Sequence, residues 1–301
     1  MKTIIITGAG GYLGSTLISR LLTETNFHII AMTSQPEKLQ KKYENCDRIR
    51  CFSNDFLWNH SLPVSQPEAL IHLAFARRFS ADHEIAESIE FSRYVFESAK
   101  LAGIPKLIYI SSQGVYGNTP ELRTVGKTVP SPSMIYTLAK YATEQLLWSI
   151  FDKSTKTTAT AIRLDSLAGN QKMLPAFVQN AIEKQHISLV GGTQVFSFMD
   201  VRDAAGGLIS LLKTPVEKWK PIYNLGPNNR RYTIIQLAEL TAEVARERNI
   251  GNVRITLEKK DIAQFAGMDS SEFIQDTGWT PEYDMKAVIS GLFDEYLKKR
   301  K

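Results

Sequence analysis

An α/β protein is what the 301-residue sequence predicts: a doubly wound parallel sheet with a smaller mixed α/β unit toward the C-terminus. Two observations carry that prediction. Short β-branched runs alternate with longer amphipathic segments through the first half, the pattern of βαβ units whose sheet is covered on both faces. A glycine cluster follows the first run directly, where a strand passes into a helix. Residues 1–165 and 166–301 are the two units expected, with 221–226 returning to the first. No Pro/Gly/Ser linker separates them, so they should pack together and interleave.

The elements follow in order. Thr3–Thr7 (TIIIT) reads as a buried strand. Residues 14–23 continue as a helix, with Leu13, Leu17, Leu21 and Leu22 at helical spacing. Residues 27–32 form a second buried strand, 49–52 a weak third and 69–74 a fourth. Residues 85–103 make a long helix that Gly103 stops, with Pro105 just beyond. Residues 107–111 are a fifth strand. The next helix begins near Ser133, carries Tyr136 and Lys140, and runs to about Phe151. Thr158–Leu164 is the sixth strand. After Asp165 the alternation loosens. Residues 175–184 are helical, a helix opens at Ala204 with Asp200 and Asp203 as caps, and 221–226 is a strand. Residues 233–247 are a periodic helix with Thr233 as N-cap, and 285–299 an amphipathic one.

Composition excludes several classes. Hydrophobic residues at 43% and charged residues at 22% suit a folded protein and not a disordered one. The net charge of +5 is dispersed, without a run of like charges, which argues against a nucleic-acid surface. A mildly basic surface does suit a phosphate-bearing ligand. The two cysteines, Cys46 and Cys51, match no zinc spacing and no disulfide framework, so a reducing, cytoplasmic compartment is expected. The run "IIITG" is too short for a signal peptide or a membrane span. No metal centre is expected, and His72, inside an apolar strand, reads as a packed core histidine.

"TGAGGYLG" supplies the first functional signal. Gly8, Gly11 and Gly14 recur every third residue between strand and helix. Gly8 allows the tight turn, Gly11 lets the backbone approach a pyrophosphate, and Gly14 lets helix and strand pack closely. The helix that Tyr12 and Leu13 open then offers free N–H groups to the phosphates. This is a Rossmann-type dinucleotide site. At the end of the second strand such sites carry an acid for the adenosine ribose when the cofactor is NAD. This strand ends "AMTSQPEK". Thr33, Ser34 and Lys38 stand there instead, which leans the reading from NAD toward NADP.

"YISSQGVYG" places Ser111 and Ser112 at the carboxyl end of the fifth strand, the ligand edge of such sheets. Tyr136 and Lys140 are four residues apart and share a helix face. A free phenol has a pKa of about 10 and needs a nearby cation to act as a base at neutral pH.

Together these residues resemble the extended short-chain dehydrogenase/reductase family, its NAD(P)-dependent epimerase/dehydratase group. The likeness runs through "TGAGGYLG", Asp55, "HLAFA", "SSQGVYG", the Tyr136/Lys140 pair, "MDVRDAAGG", "YNLG" and "GWTP". It implies that Ser112 hydrogen-bonds the reacting oxygen, that Tyr136 exchanges the proton, and that Lys140 binds the nicotinamide ribose and favours the tyrosinate. It further implies Asp55 near the adenine, and Ala74, Phe75 and Ala76 lining the cofactor. A small-molecule substrate, a sugar or sugar nucleotide, and a homodimer through the long helices are the family expectation.

The second half departs from that pattern. Many nucleotide-sugar epimerases have an arginine for the substrate pyrophosphate just before the "VxD" segment, and here Phe196 stands in its place. Apolar Phe196 cannot pair with a phosphate. After the sixth strand, "IRLDSLAGN" puts Leu164, Asp165 and Ser166 where relatives touch substrate. Arg77, Arg78 and Lys172 are candidate replacement cations. An epimerase or dehydratase, a reductase of a smaller carbonyl compound, and a non-catalytic dinucleotide sensor all remain open at this point. The Tyr-Lys pair argues against the sensor.

Overall fold

A computed structural model describes residues 2–300 except 155 and 229. Its strands are β1 (Thr3–Thr7), β2 (His28–Thr33), β3 (Ile49–Ser53), β4 (Ala69–His72), β5 (Lys106–Ser112), β6 (Thr158–Leu164), β7 (His186–Gly191), β8 (Val195–Phe196), β9 (Ile222–Leu225), β10 (Tyr232–Thr233) and β11 (Arg254–Lys259). The helices are α1 (Tyr12–Glu24), α2 (Pro36–Lys42), α3 (Asp55–Trp58), α4 (Asp82–Leu101), α5 (Ile135–Phe151), α6 (Met173–Lys184), α7 (Val201–Lys213), α8 (Ile234–Glu247), α9 (Ser271–Thr277) and α10 (Met285–Lys298).

Seven strands form one sheet in the order β3-β2-β1-β4-β5-β6-β9, and every neighbouring pair is parallel. The chain winds outward one way from β1 and the other way from β4. Between those strands the order reverses, and a crevice opens beyond their carboxyl ends at Thr7 and His72. Ile4, Ile6, Leu17 and Leu208 pack one face of the sheet, and Ile5, Leu70, Phe96 and Leu147 the other. Nearly continuous apolar strands are what burial on both faces requires. A separate cluster joins α6, α8 and α10 through Leu174, Leu237, Ile289 and Phe293. Beside it lie two small sheets, β8 with β10 and β7 with β11. Among the described residues no helix is long and apolar enough to cross a membrane, and no cluster of three or more His, Cys, Asp or Glu side chains could hold a metal.

Two local readings are corrected. Helix α7 begins at Val201 and not Ala204, because Asp200 alone caps it, its side chain accepting from Arg202 N–H at 2.8 Å. Asp203 lies inside the first turn and accepts instead from the N–H groups of Glu282 (2.9 Å) and Tyr283 (3.1 Å), pinning the chain before α10. Strand β4 ends at His72, two residues earlier than the apolar run suggests, so Leu73 and Ala74 open a loop toward the crevice. Thr233 caps α8 as expected, in a reciprocal box with Gln236.

Candidate active site

The crevice is built from the glycine turn upward. Gly8 has φ +66°, a left-handed conformation that favours glycine, and its carbonyl accepts from Gly11 N–H at 2.9 Å. A Cβ at Gly8 would stand 2.7 Å from the amide nitrogen of Ala74, and one at Gly14 would overlap the Gly8 carbonyl oxygen. Strand end, helix start and the loop after β4 are therefore in backbone contact. Gly10 and Gly11 face solvent, and Gly11 caps α1 without a side-chain acceptor. The first N–H groups of α1 are left for an anion, which fits a dinucleotide pyrophosphate. Tyr12 and Leu13 would contribute backbone only. The Leu13 side chain is buried in the core, and the Tyr12 hydroxyl abuts Gly169, in the substrate half of the chain.

The expected ribose and adenine residues cluster at neighbouring strand ends, since Thr33 pairs in register with Ser53. Buried Thr33 accepts from Gln35 N–H through Oγ1 (3.3 Å), while Ser34 and Lys38 are exposed. Asp55 opens α3 and accepts from Ser53 Oγ at 2.8 Å. Across the crevice, Ala74 N–H donates to Thr7 Oγ1 (3.3 Å) and Ala76 N–H to Ser88 Oγ (2.9 Å). These bonds hold Phe75 between them. His72 sits beneath, with Thr7 Oγ1 2.7 Å from Nδ1 and Ser92 Oγ 2.9 Å from Nε2. Burial and the Lys140 charge push it down to about 3, so it stays neutral, a core histidine as expected.

Helix α5 brings Tyr136, Lys140 and Glu144 onto one face. Phe75 meets Tyr136 edge-on at 6.1 Å between ring centroids and lies under Lys140, whose Nζ is 3.8 Å from its centre. Lys140 also donates to the Ile110 carbonyl at 2.7 Å. Burial lowers its pKa to about 7, against an opposing pull from Glu144. Tyr136 moves the other way: burial raises the phenol to about 12, while the Arg78 charge and the Ser112 hydroxyl pull it back. The cation acting on the phenol in this structure is Arg78, which the sequence offered only as a substrate residue.

The lysine shift has a thermodynamic consequence. Lys140 titrates near 7 when folded and near its ordinary value of about 10.4 when unfolded, so between those values the unfolded chain binds more protons. Stability then rises with pH across that window, by up to about 1.4 kcal/mol per unit. Lys140→Met should be more stable than the parent below pH 7, with the advantage closing as pH rises toward 10. Thermal melts of both proteins across that range check it. A constant difference would show that the ammonium is not desolvated.

Alternation along β5 sends the two serines opposite ways. Ser112 faces the crevice and accepts from Gly114 N–H at 3.1 Å. Ser111 is buried and donates to Glu144 Oε1 at 2.5 Å, so its side chain supports α5 and does not reach the crevice. Glu144 also takes both arms of Arg163, at 3.1 and 2.7 Å, in a fully buried ion pair. Sequence reasoning missed this pair. The signal was present, because Glu144 follows Lys140 by the same four residues as Lys140 follows Tyr136.

A second buried network was also missed. Asp165 accepts from Gln113 Nε2, from Ser166 N–H (2.7 Å) and from Ser197 Oγ (2.5 Å), and Arg123 donates to Gln113 Oε1. Burial raises the Asp165 carboxyl to about 6 despite these donors. Phe196 stacks on Phe198, with rings 5.9 Å apart and 8° from parallel, and the two form an apolar wall.

The family model for the NAD dependent epimerase/dehydratase family matches residues 4–226. The chain belongs to that family. It is an enzyme of the extended short-chain dehydrogenase/reductase type, working by hydride transfer at a hydroxyl/carbonyl carbon. Among curated relatives, it is 23% identical to a dTDP-D-glucose 4,6-dehydratase of Bos taurus, covering 98% of this chain and 88% of that one. It is 24% identical to a trifunctional UDP-glucose 4,6-dehydratase/UDP-4-keto-6-deoxy-D-glucose 3,5-epimerase/UDP-4-keto-L-rhamnose-reductase of Arabidopsis thaliana, over 99% of this chain but 44% of that one. The fold matches a UDP-glucuronic acid 4-epimerase from Bacillus cereus, solved with UDP-glucuronic acid and NAD, at TM-score 0.79 and 17% identity over 99% of this chain and all of the other. It matches a dTDP-glucose 4,6-dehydratase from Bacillus anthracis, solved with NAD, at 0.81 and 17% over 100% and 98%.

Proposed function

We propose that this enzyme oxidises and reduces a carbon of a sugar nucleotide, with Ser112, Tyr136 and Lys140 as its catalytic residues. The observation that carries the reading is the convergence at the carboxyl edge of β5 of Ser112, which shares the space around Gly114 with Thr137 of α5, and of Tyr136 and Lys140 against Phe75, on the loop that abuts the glycine turn at Ala74. The sugar-nucleotide class rests on the substrates named for the curated relatives. Hydride exchange at the substrate carbon is the chemistry a bound nicotinamide supplies. The chain does the rest. Gly8, Gly11 and Gly14 hold the pyrophosphate, while Ala74, Phe75 and Ala76 line the inner end. Ser112 orients the substrate oxygen, Tyr136 moves its proton, and Lys140 holds the ribose end. Residues 1–165 with β9 form the cofactor unit and 166–301 the substrate unit, interleaved with it: the separate apolar core around α6, α8 and α10 supports the division, while α7 packs Leu208 onto the cofactor sheet.

For the cofactor, NADP over NAD is favoured by Thr33, Ser34 and Lys38, since no carboxylate stands at the end of β2 itself. A second reading, a reductase of a smaller carbonyl compound, is favoured by the Phe196–Phe198 wall. Purification that retains the cofactor, followed by mass spectrometry, separates these. Tightly held NAD⁺ supports an epimerase or dehydratase that regenerates its cofactor each cycle. Protein that emerges empty and takes NADPH supports the reductase, and protein that binds neither dinucleotide rejects both.

A further inference from the structure

Two cations at the crevice mouth, Arg78 and Lys172, have been given no role toward the substrate so far. The loop after β4 closes in a tight turn in which Ser80 N–H donates to the Arg77 carbonyl (3.0 Å) and Arg77 N–H to Ser80 Oγ (3.2 Å). Arg78 and Phe79 stand at its tip, and Phe79 is 67% exposed. Arg78 Cζ lies 5.4 Å from the centre of that ring. Lys172 Nζ, from the residue before α6 in the substrate half, lies 4.6 Å from it. Arg78 also reaches Met134 Sδ at 3.1 Å, two residues before Tyr136, and its charge acts on the Tyr136 phenol. Among the ion pairs of the described residues, neither Arg78 nor Lys172 takes part.

Arg78 and Lys172, both exposed, bring two positive charges to one exposed ring, and an oxyanion lying over that ring would be attracted by both. Meanwhile Phe196 is committed to an apolar stack. We propose that Arg78 and Lys172 clamp an oxyanion of the substrate, with Phe79 as the apolar floor between them. The inference deepens the sugar-nucleotide reading and rests on it for the identity of the whole substrate. The oxyanion has two sources in that class: the diphosphate bridge, or a carboxylate on the sugar. Arg78 brings a forked donor suited to either, and Lys172 a point charge.

Calorimetric titration of the parent, Arg78→Ala and Lys172→Ala with inorganic pyrophosphate, UDP-glucose and UDP-glucuronic acid tests the clamp, with NAD⁺ titrated in parallel. Each variant should bind oxyanion ligands about 10- to 100-fold more weakly while keeping its NAD⁺ affinity. A loss for all three ligands identifies the diphosphate as the clamped group. A loss confined to UDP-glucuronic acid identifies the carboxylate. Arg78→Ala should in addition move the basic limb of the pH profile upward, since the phenol loses the cation that acts on it. Affinities within about twofold of the parent overturn the clamp, as does an equal loss of NAD⁺ affinity, which would mean that the turn acts through the fold. Pyrophosphate bound through Arg78 and Lys172 in a protein that turns over no sugar nucleotide keeps the clamp and removes the sugar-nucleotide reading. Turnover of a sugar nucleotide unaffected by either substitution does the reverse.

Discussion

Tyr136→Phe should lower kcat by about 10²–10⁴-fold, the usual worth of a positioned acid-base group, and leave dinucleotide affinity unchanged. The change removes one oxygen. It keeps the ring that meets Phe75 edge-on and leaves the glycine turn untouched. Burial holds the phenol near 12, so the proton stays on Tyr136 at neutral pH until the reaction demands it. The bare residue is therefore poised as an acid, ready to protonate an alkoxide, and must be assisted to act as a base. Arg78 and Ser112 provide that assistance from two sides. Steady-state kinetics with a titration of dinucleotide fluorescence separate the two effects. Parental kcat in the Tyr136→Phe variant would remove Tyr136 from the chemistry.

Arg163→Met should cost about 3–5 kcal/mol of stability, because it leaves a buried carboxylate without its guanidinium. Glu144 has no exposed side-chain surface and Arg163 almost none. Methionine fills much of the arginine stem against Tyr116, whose ring faces the guanidinium at 4.6 Å, so packing loss is small and the charge term dominates. Adding Glu144→Gln to Arg163→Met should recover part of the loss, since the remaining groups are neutral and Ser111 still has an acceptor. Urea denaturation of the parent, the single variant and the double variant measures both. A single variant as stable as the parent would mean that Lys140 alone neutralises Glu144.

The reach of the sequence follows from which contacts are local. Strand order through residue 164 was legible, because burial on both faces writes continuous apolar runs into β1, β2, β4 and β5. The glycine turn was legible because backbone contact between Gly14 and Gly8 tolerates no side chain. Tyr136 and Lys140 were legible from spacing on one helix. Less local features were not. Strand β11 finds its partner in β7, some seventy residues away, and its exposed, charged face hides its period. Helix α2 is short and polar, with little beyond a proline at its first turn to announce it. The Arg123–Gln113–Asp165–Ser197 network joins four segments, so no window of sequence contains it. Arg78 was visible only as a charge in a loop. Its influence on Tyr136 depends on a turn at Arg77–Ser80 and on Met134, which no spacing rule connects. The residues proposed as catalytic thus lie on regular elements, while those proposed to tune and select lie on the loops between them.

The central claim is that Tyr136 moves the proton as hydride leaves a sugar-nucleotide carbon. Its most direct test is stopped-flow absorbance of reduced nicotinamide after mixing NAD⁺- or NADP⁺-loaded protein with UDP-glucose, UDP-glucuronic acid or dTDP-glucose. A transient rise is expected with at least one of them in the parent protein, and its suppression in Tyr136→Phe. No rise with any of the three, or an equal rise in the variant, would contradict it.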